Sequence, residues 1–168
     1  MINRELLIEQ LEASTTELVE HLLRFTGQNF NIHPSEDQWS AADVAEHIVL
    51  LETKVNEALQ QMVVSERPVD QKIAPIKKGL ENHERRFTAP LFIHPTKERK
   101  ERDELIKRFK EQRLILQSII RTADLEQTTV YKHPTIGDMT GIEWVYFNMY
   151  HTKRHQRQLE NIAASVSG

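Results

Sequence analysis

Two histidines one helical turn apart, His151 and His155, are the first residues in this sequence that could do chemistry together. Residues four apart on a helix share a face, so both imidazoles can reach one ion. The spacing permits chelation without establishing it, because eight histidines in 168 positions give on the order of 0.4 such pairs by composition alone. A third histidine adds weight. His47 falls three residues after Val44 and four before Leu51, on an otherwise apolar stripe. An inward imidazole is costly unless each nitrogen finds a partner. Metal coordination would supply one; a backbone carbonyl or a carboxylate is the alternative. The face around the pair reads Trp144, Asn148, His151, His155, Leu159 and Ile162, so both histidine groups are expected to look into one core. Asn148 is a candidate second-layer or substrate contact, and His133, just before Pro134, a spare ligand or substrate contact. His21, His33, His83 and His94 sit in polar or loop contexts and read as ordinary histidines.

Other chemistries are excluded more firmly. With no cysteine, there is no disulfide, thiolate ligand or cysteine nucleophile, and thiol chemistry would need a borrowed thiol. No Gly-rich phosphate loop, HExxH or GxSxG occurs. Glu46, next to His47, points about 100° away on a helix and is expected to face solvent. Lys and Arg number 22 against 25 Asp and Glu, a net charge of −3, which disfavours nucleic acid and anionic lipid as partners. The start, Met1-Ile2-Asn3-Arg4-Glu5, meets charge at once, and no segment has the 18 or more apolar residues of a membrane span. A cytoplasmic location is the expectation.

The elements that must position the histidines are helical. Only five glycines and six prolines, with 28% charged and 39% hydrophobic residues, suit helices better than a many-turned β-protein. The length suits one domain, residues 1–168. A first helix runs from about Asn3 to Phe25, its stripe of Ile8, Leu11, Leu18, Leu22 and Phe25 interrupted by Thr15, and ends near Gly27. Ser40 and Asp43 form a capping box for the second, with Trp39 and Val44 as a hydrophobic staple. Its stripe is Val44, Ile48, Leu51, Val55, Leu59 and Met62. From Ser65 to Glu98 prolines punctuate the chain, leaving room for one short helix around Gln71 to Asn82. A connection this long can carry the chain from one end of a bundle to the other. The run Lys97 to Glu104 opens a third long helix as a solvated face. Thr140 and Glu143 make a second capping box, starting a helix that reaches about Ala164. Trp144, Tyr146, Phe147 and Tyr150 surround that helix widely, so it is either central or shared with a partner.

The segment Trp39-Ser40-Ala41-Ala42-Asp43-Val44-Ala45-Glu46-His47, the long crossover, and the closing Glu143-Trp144…His151…His155-Gln156-Arg157-Gln158-Leu159 resemble the DinB/YfiT-like superfamily. The resemblance covers nearly the whole chain. It implies an all-α four-helix bundle with a long crossover between helices 2 and 3, often a homodimer and mostly bacterial. It also implies a three-histidine site for nickel, zinc or iron, with His47, His151 and His155 as the ligands by motif position. Relatives of this kind include S-transferases and isomerases that use bacillithiol, mycothiol or similar low-molecular-weight thiols. Three neutral imidazoles leave a cation's charge in place and a position open, the arrangement that acidifies a thiol or a water. The expected function is therefore a metal-dependent thiol S-transferase or a hydrolase acting on a small molecule. The alternatives are a non-catalytic metal-binding or stress-related interaction protein, and a metal-free helical module.

Overall fold

The computed structural model describes residues 1–167. Four long helices make the bundle: α1 (Arg4–Leu23), α2 (Ala41–Ala58), α4 (Arg102–Thr122) and α5 (Gly141–Val166). Short elements fill the connections: β1 (Met62–Val63), α3 (Ile73–Glu81), a 3-10 turn (Leu91–Ile93) and β2 (Thr128–Thr129). The expected four-helix bundle with its crossover is what the chain adopts, and the short helix within the crossover is α3.

The core is two apolar clusters stacked along the bundle. One holds Leu7, Leu11, Val55, Leu59, Leu116, Ile120 and Trp144; the other holds Leu18, Leu22, Val44, Ile48, Phe109, Leu159 and Ile162. The order in which each helix visits them gives its direction. α1 and α5 enter from the first cluster, whereas α2 and α4 enter from the second. Because α2 and α4 run parallel, the chain must return the length of the bundle between them, and the long crossover does this. On the way α3 packs against α5, the turn at Leu91–Ile93 packs against α2, and β1 pairs antiparallel with β2, Met62 opposite Thr129.

A polar layer separates the two clusters. Glu52, Arg113, Asn148 and Thr152 are all buried; Thr15, Arg113 and Thr152 fall between the residues of one cluster and those of the other on their helices, and Glu52 and Asn148 lie at the edge of the first cluster. Arg113 donates from Nε (2.8 Å) and Nη2 (2.7 Å) to Glu52 Oε1, and from Nη2 to the Thr152 hydroxyl at 2.7 Å. Its Nη1 reaches Ser14 and Thr15 on α1 at 3.4 and 3.3 Å. Asn148 Nδ2 donates to the other Glu52 oxygen at 2.8 Å. The Thr15 interruption in the first stripe is thus the α1 share of this layer. Asn148, expected as a second-layer or substrate contact, is an internal tie between α5 and α2.

Both predicted capping boxes form. Ser40 accepts from the Asp43 amide while Asp43 accepts from that of Ser40, and Thr140 and Glu143 do the same for α5. Such a cap stabilises a helix by about 1 kcal/mol. Gly141 opens α5 pressed against Leu125, where a Cβ would come within 2.8 Å of the Leu125 Cα; only glycine fits there.

The charged run Lys97–Glu104 departs from expectation. α4 begins at Arg102, and Lys100, far from being solvated, is nearly buried. Its ammonium meets Asp43 at 3.0 Å and Glu46 at 3.4 Å and also donates to the carbonyls of Thr96 and Glu98. The two carboxylates at the start of α2 draw it in. Glu46 is corrected likewise: it accepts from the Thr96 amide at 2.7 Å instead of facing open water.

Candidate metal centre

The capping box at Ser40 fixes where α2 starts, and two turns later His47 projects into the groove between α2 and α5. From α5, one turn apart, come His151 and His155. The three meet: His151 Nε2 lies 3.2 Å from His47 Nε2 and 3.0 Å from His155 Nε2. All three ligand atoms fall within 4.8 Å of one another. His47 and His155 are buried, His151 half-buried.

The far side of each ring decides which nitrogen is bare. His47 Nδ1 faces the Ile93 carbonyl at 2.8 Å. A carbonyl only accepts, so Nδ1 carries the proton and Nε2 presents its lone pair. His155 Nδ1 faces Gln158 Oε1 at 2.7 Å, with the same result. His151 Nδ1 is buried without a partner. Hence at least two lone pairs converge on His151 Nε2, where a single proton cannot satisfy both. Protonating the rings is no remedy, because burial lowers the pKa of all three: His47 moderately, His151 well below the usual value, and His155 to about 3, with the neighbouring histidines adding to the effect for the last two. Neutral at physiological pH, the cluster is an uncharged set of imidazole donors compatible with a bound cation. The spacing suits one, since nitrogens 2.0–2.1 Å from a tetrahedral zinc lie about 3.3 Å apart.

Aromatic rings wall the group. Trp39 stands 5.0 Å from His47, and Phe147 stacks on His151 at 5.8 Å. Among the described residues no carboxylate or further histidine joins the three. His133 stays outside, on the other side of Phe147, with ring centroids 5.2 Å apart. Its Nδ1 accepts from the amides of Thr135 and Ile136, and burial lowers its pKa. His21 is bonded to Glu160, His33 to the Gln38 carbonyl and His94 to the Ala89 carbonyl, and none of the three joins the cluster.

The profile of the DinB superfamily matches residues 10–159. The chain belongs to the DinB superfamily. It is 26% identical to YuaE of Bacillus subtilis (strain 168), itself described as uncharacterized, over 164 residues that cover 89% of this chain and 93% of that one. Its fold is similar to that of TT2238, described as a four-helix bundle protein, with a TM-score of 0.61 and 19% identity over 95% of this chain and 99% of the other. A DinB-type bundle with a three-histidine cluster is compatible with metal binding. No described helix is long and apolar enough to cross a membrane.

Sequence reasoning named the three histidines but not what orients them. Gln158 could have been found, as the residue one turn beyond His155. The Ile93 carbonyl could not, because a backbone group in an irregular crossover carries no side-chain signal. Of the α5 aromatics, Trp144 and Phe147 are buried, while Tyr146 and Tyr150 are half-buried and stack on each other at 5.9 Å.

Proposed function

We propose that this DinB-superfamily protein holds a divalent cation through Nε2 of His47, His151 and His155, and uses it in thiol S-transfer to a small electrophile. The observation that carries the metal reading is the convergence of imidazole nitrogens whose tautomers are set from behind by Ile93 and Gln158. Hydrogen bonds of this second layer are what fix ligand histidines in metalloproteins. When bound, a divalent ion supplies Lewis acidity, lowering the pKa of a thiol or water at its open side. The chain's own residues do the rest. His47, His151 and His155 bring no charge, so the ion keeps its full polarising power. Trp39 and Phe147 exclude water from two flanks, which strengthens electrostatics inside. The absence of cysteine makes the nucleophile an external low-molecular-weight thiol. Nickel, zinc and iron all suit imidazole donors, and availability decides among them.

A second reading rests on the placement of the ligands on two helices, His47 on α2 and the pair on α5: the ion ties the bundle together without turnover. Hydrolysis of a small ester or amide is a third use of the same centre. Elemental analysis of untagged protein is expected to find one divalent metal per chain, and His47→Ala to lose it. Retention of full metal by that variant would remove His47 from the site. A thiol-conjugation screen with electrophiles then separates the readings: turnover that disappears in the variant supports transfer, whereas chelation that lowers Tm with no turnover supports the tie.

A further inference from the structure

The two helices that supply the histidines are joined over the site by the irregular part of the crossover, residues 82–96. At its start the strap is anchored to α5 by Arg154, which lies between the two histidines in sequence. The Arg154 guanidinium donates from Nη1 to the carbonyls of Leu80 (3.1 Å) and Asn82 (2.9 Å) and from Nη2 to that of Arg85. It also lies 4.9 Å over the Phe87 ring, with Arg85 at 4.9 Å from the same ring. At its end the strap is anchored to α2: the Ile93 side chain is buried, the Ile93 carbonyl accepts a hydrogen bond from His47 Nδ1, and the Thr96 amide donates to Glu46.

No regular secondary structure holds residues 82–90 in place; Ala89 packs against the core, and at the start of the strap Arg154 is the side chain that bonds its backbone. A guanidinium holds its donors in a fixed planar fork, and the three carbonyls it satisfies span the end of α3, at Leu80, and the start of the strap, at Asn82 and Arg85. Few residues separate Arg85 from Ile93, so a strap released at Arg154 loses the constraint that sets the Ile93 carbonyl against His47. We infer that Arg154 is a positioning residue for His47, acting through the strap to hold its ring with the proton on Nδ1 and the lone pair on Nε2. The inference rests on the metal reading of the cluster only for its consequence in affinity; the ring state of His47 is a property of the metal-free protein.

The experiment compares wild type with Arg154→Ala in three measurements: hydrogen exchange over residues 82–96, the ring 15N shifts of His47 in metal-free protein, and affinity for zinc alone. In Arg154→Ala, exchange of the strap amides is expected to rise about tenfold as local opening becomes easier. The His47 ring should lose its single Nδ1–H signature for averaged tautomers, and zinc should bind about tenfold more weakly, the usual cost of losing an outer-layer partner. Phe87→Ala loosens the same anchor without altering α5 and should move all three readouts the same way; it decides the matter if Arg154→Ala does not fold. Exposed Lys153→Ala is the control and should move none. Unchanged His47 ring shifts in a folded Arg154→Ala protein overturn the inference, whether or not the strap exchanges faster. Wild-type protein that takes up no zinc defeats the metal reading instead, and the ring shifts still decide the role of Arg154.

Discussion

Two polar groups lie inside this bundle within a few helical turns of each other, and they are built on opposite principles. In the Glu52–Arg113 layer every charge is answered: both Glu52 oxygens accept, and the guanidinium reaches residues of α1, α2 and α5. In the histidine cluster the rings are satisfied only on their outer sides, at His47 and His155, while the inner nitrogens face one another. Buried charges answered by partners serve the fold, even with Asn148 Oδ1 left without one; convergent lone pairs with no proton to share leave room for something else. The contrast separates a group that serves the fold from one that, on the proposed function, serves a bound metal.

Breaking the answered layer should have the largest effect. Arg113→Met leaves Glu52 buried without its partner and is expected to cost about 3–5 kcal/mol, read by urea unfolding. Adding Glu52→Leu should restore most of that loss, since the pair is then replaced by apolar packing. Failure of the double variant to recover would mean that the layer does more than balance charge.

The histidine cluster should make metal-free stability depend on pH. All three histidines have a folded pKa below the unfolded value of about 6.5, His155 at about 3. The unfolded chain therefore binds protons that the folded chain refuses, and metal-free stability is complete above pH 6.5 and lost as pH falls from there towards 3. The slope approaches about 1.4 kcal/mol per pH unit for each histidine. Replacing His155 with Phe should flatten this acid limb in pH-dependent unfolding while abolishing metal uptake. An unchanged limb would show that the buried rings do not resist protonation.

Smaller effects sharpen the division. Gln158→Leu removes the partner of His155 Nδ1 and is expected to weaken zinc binding about tenfold with little change in Tm of the metal-free protein. Ser40→Ala should do the reverse, lowering stability by about 1 kcal/mol and leaving zinc affinity within about twofold, because it acts on the helix and not on the ring. Calorimetric titration alongside thermal unfolding checks both.

What could be read in advance follows the range of the interaction. Ser40 with Asp43 and Thr140 with Glu143 are three residues apart, so the starts of α2 and α5 were legible, and with them the inward faces carrying His47, His151 and His155. Thr15 was seen as a flaw in a stripe, yet its meaning depended on Arg113, 98 positions away. Lys100 and Glu46 looked solvated because each stands in a charged stretch, and only the packing of the crossover against α2 shows them meeting. The Ile93 carbonyl had no signature at all. Local signals located the three histidines; the contacts that hold them in register are long-range and partly backbone.

The Glu52–Arg113 layer also bears on how a lineage with this fold can change. Since it ties together all four long helices without using a histidine, the cluster above it is free to drift. Substitutions at positions 47, 151 and 155 can accumulate in a descendant whose bundle still assembles, so shared architecture is inherited more faithfully than shared chemistry.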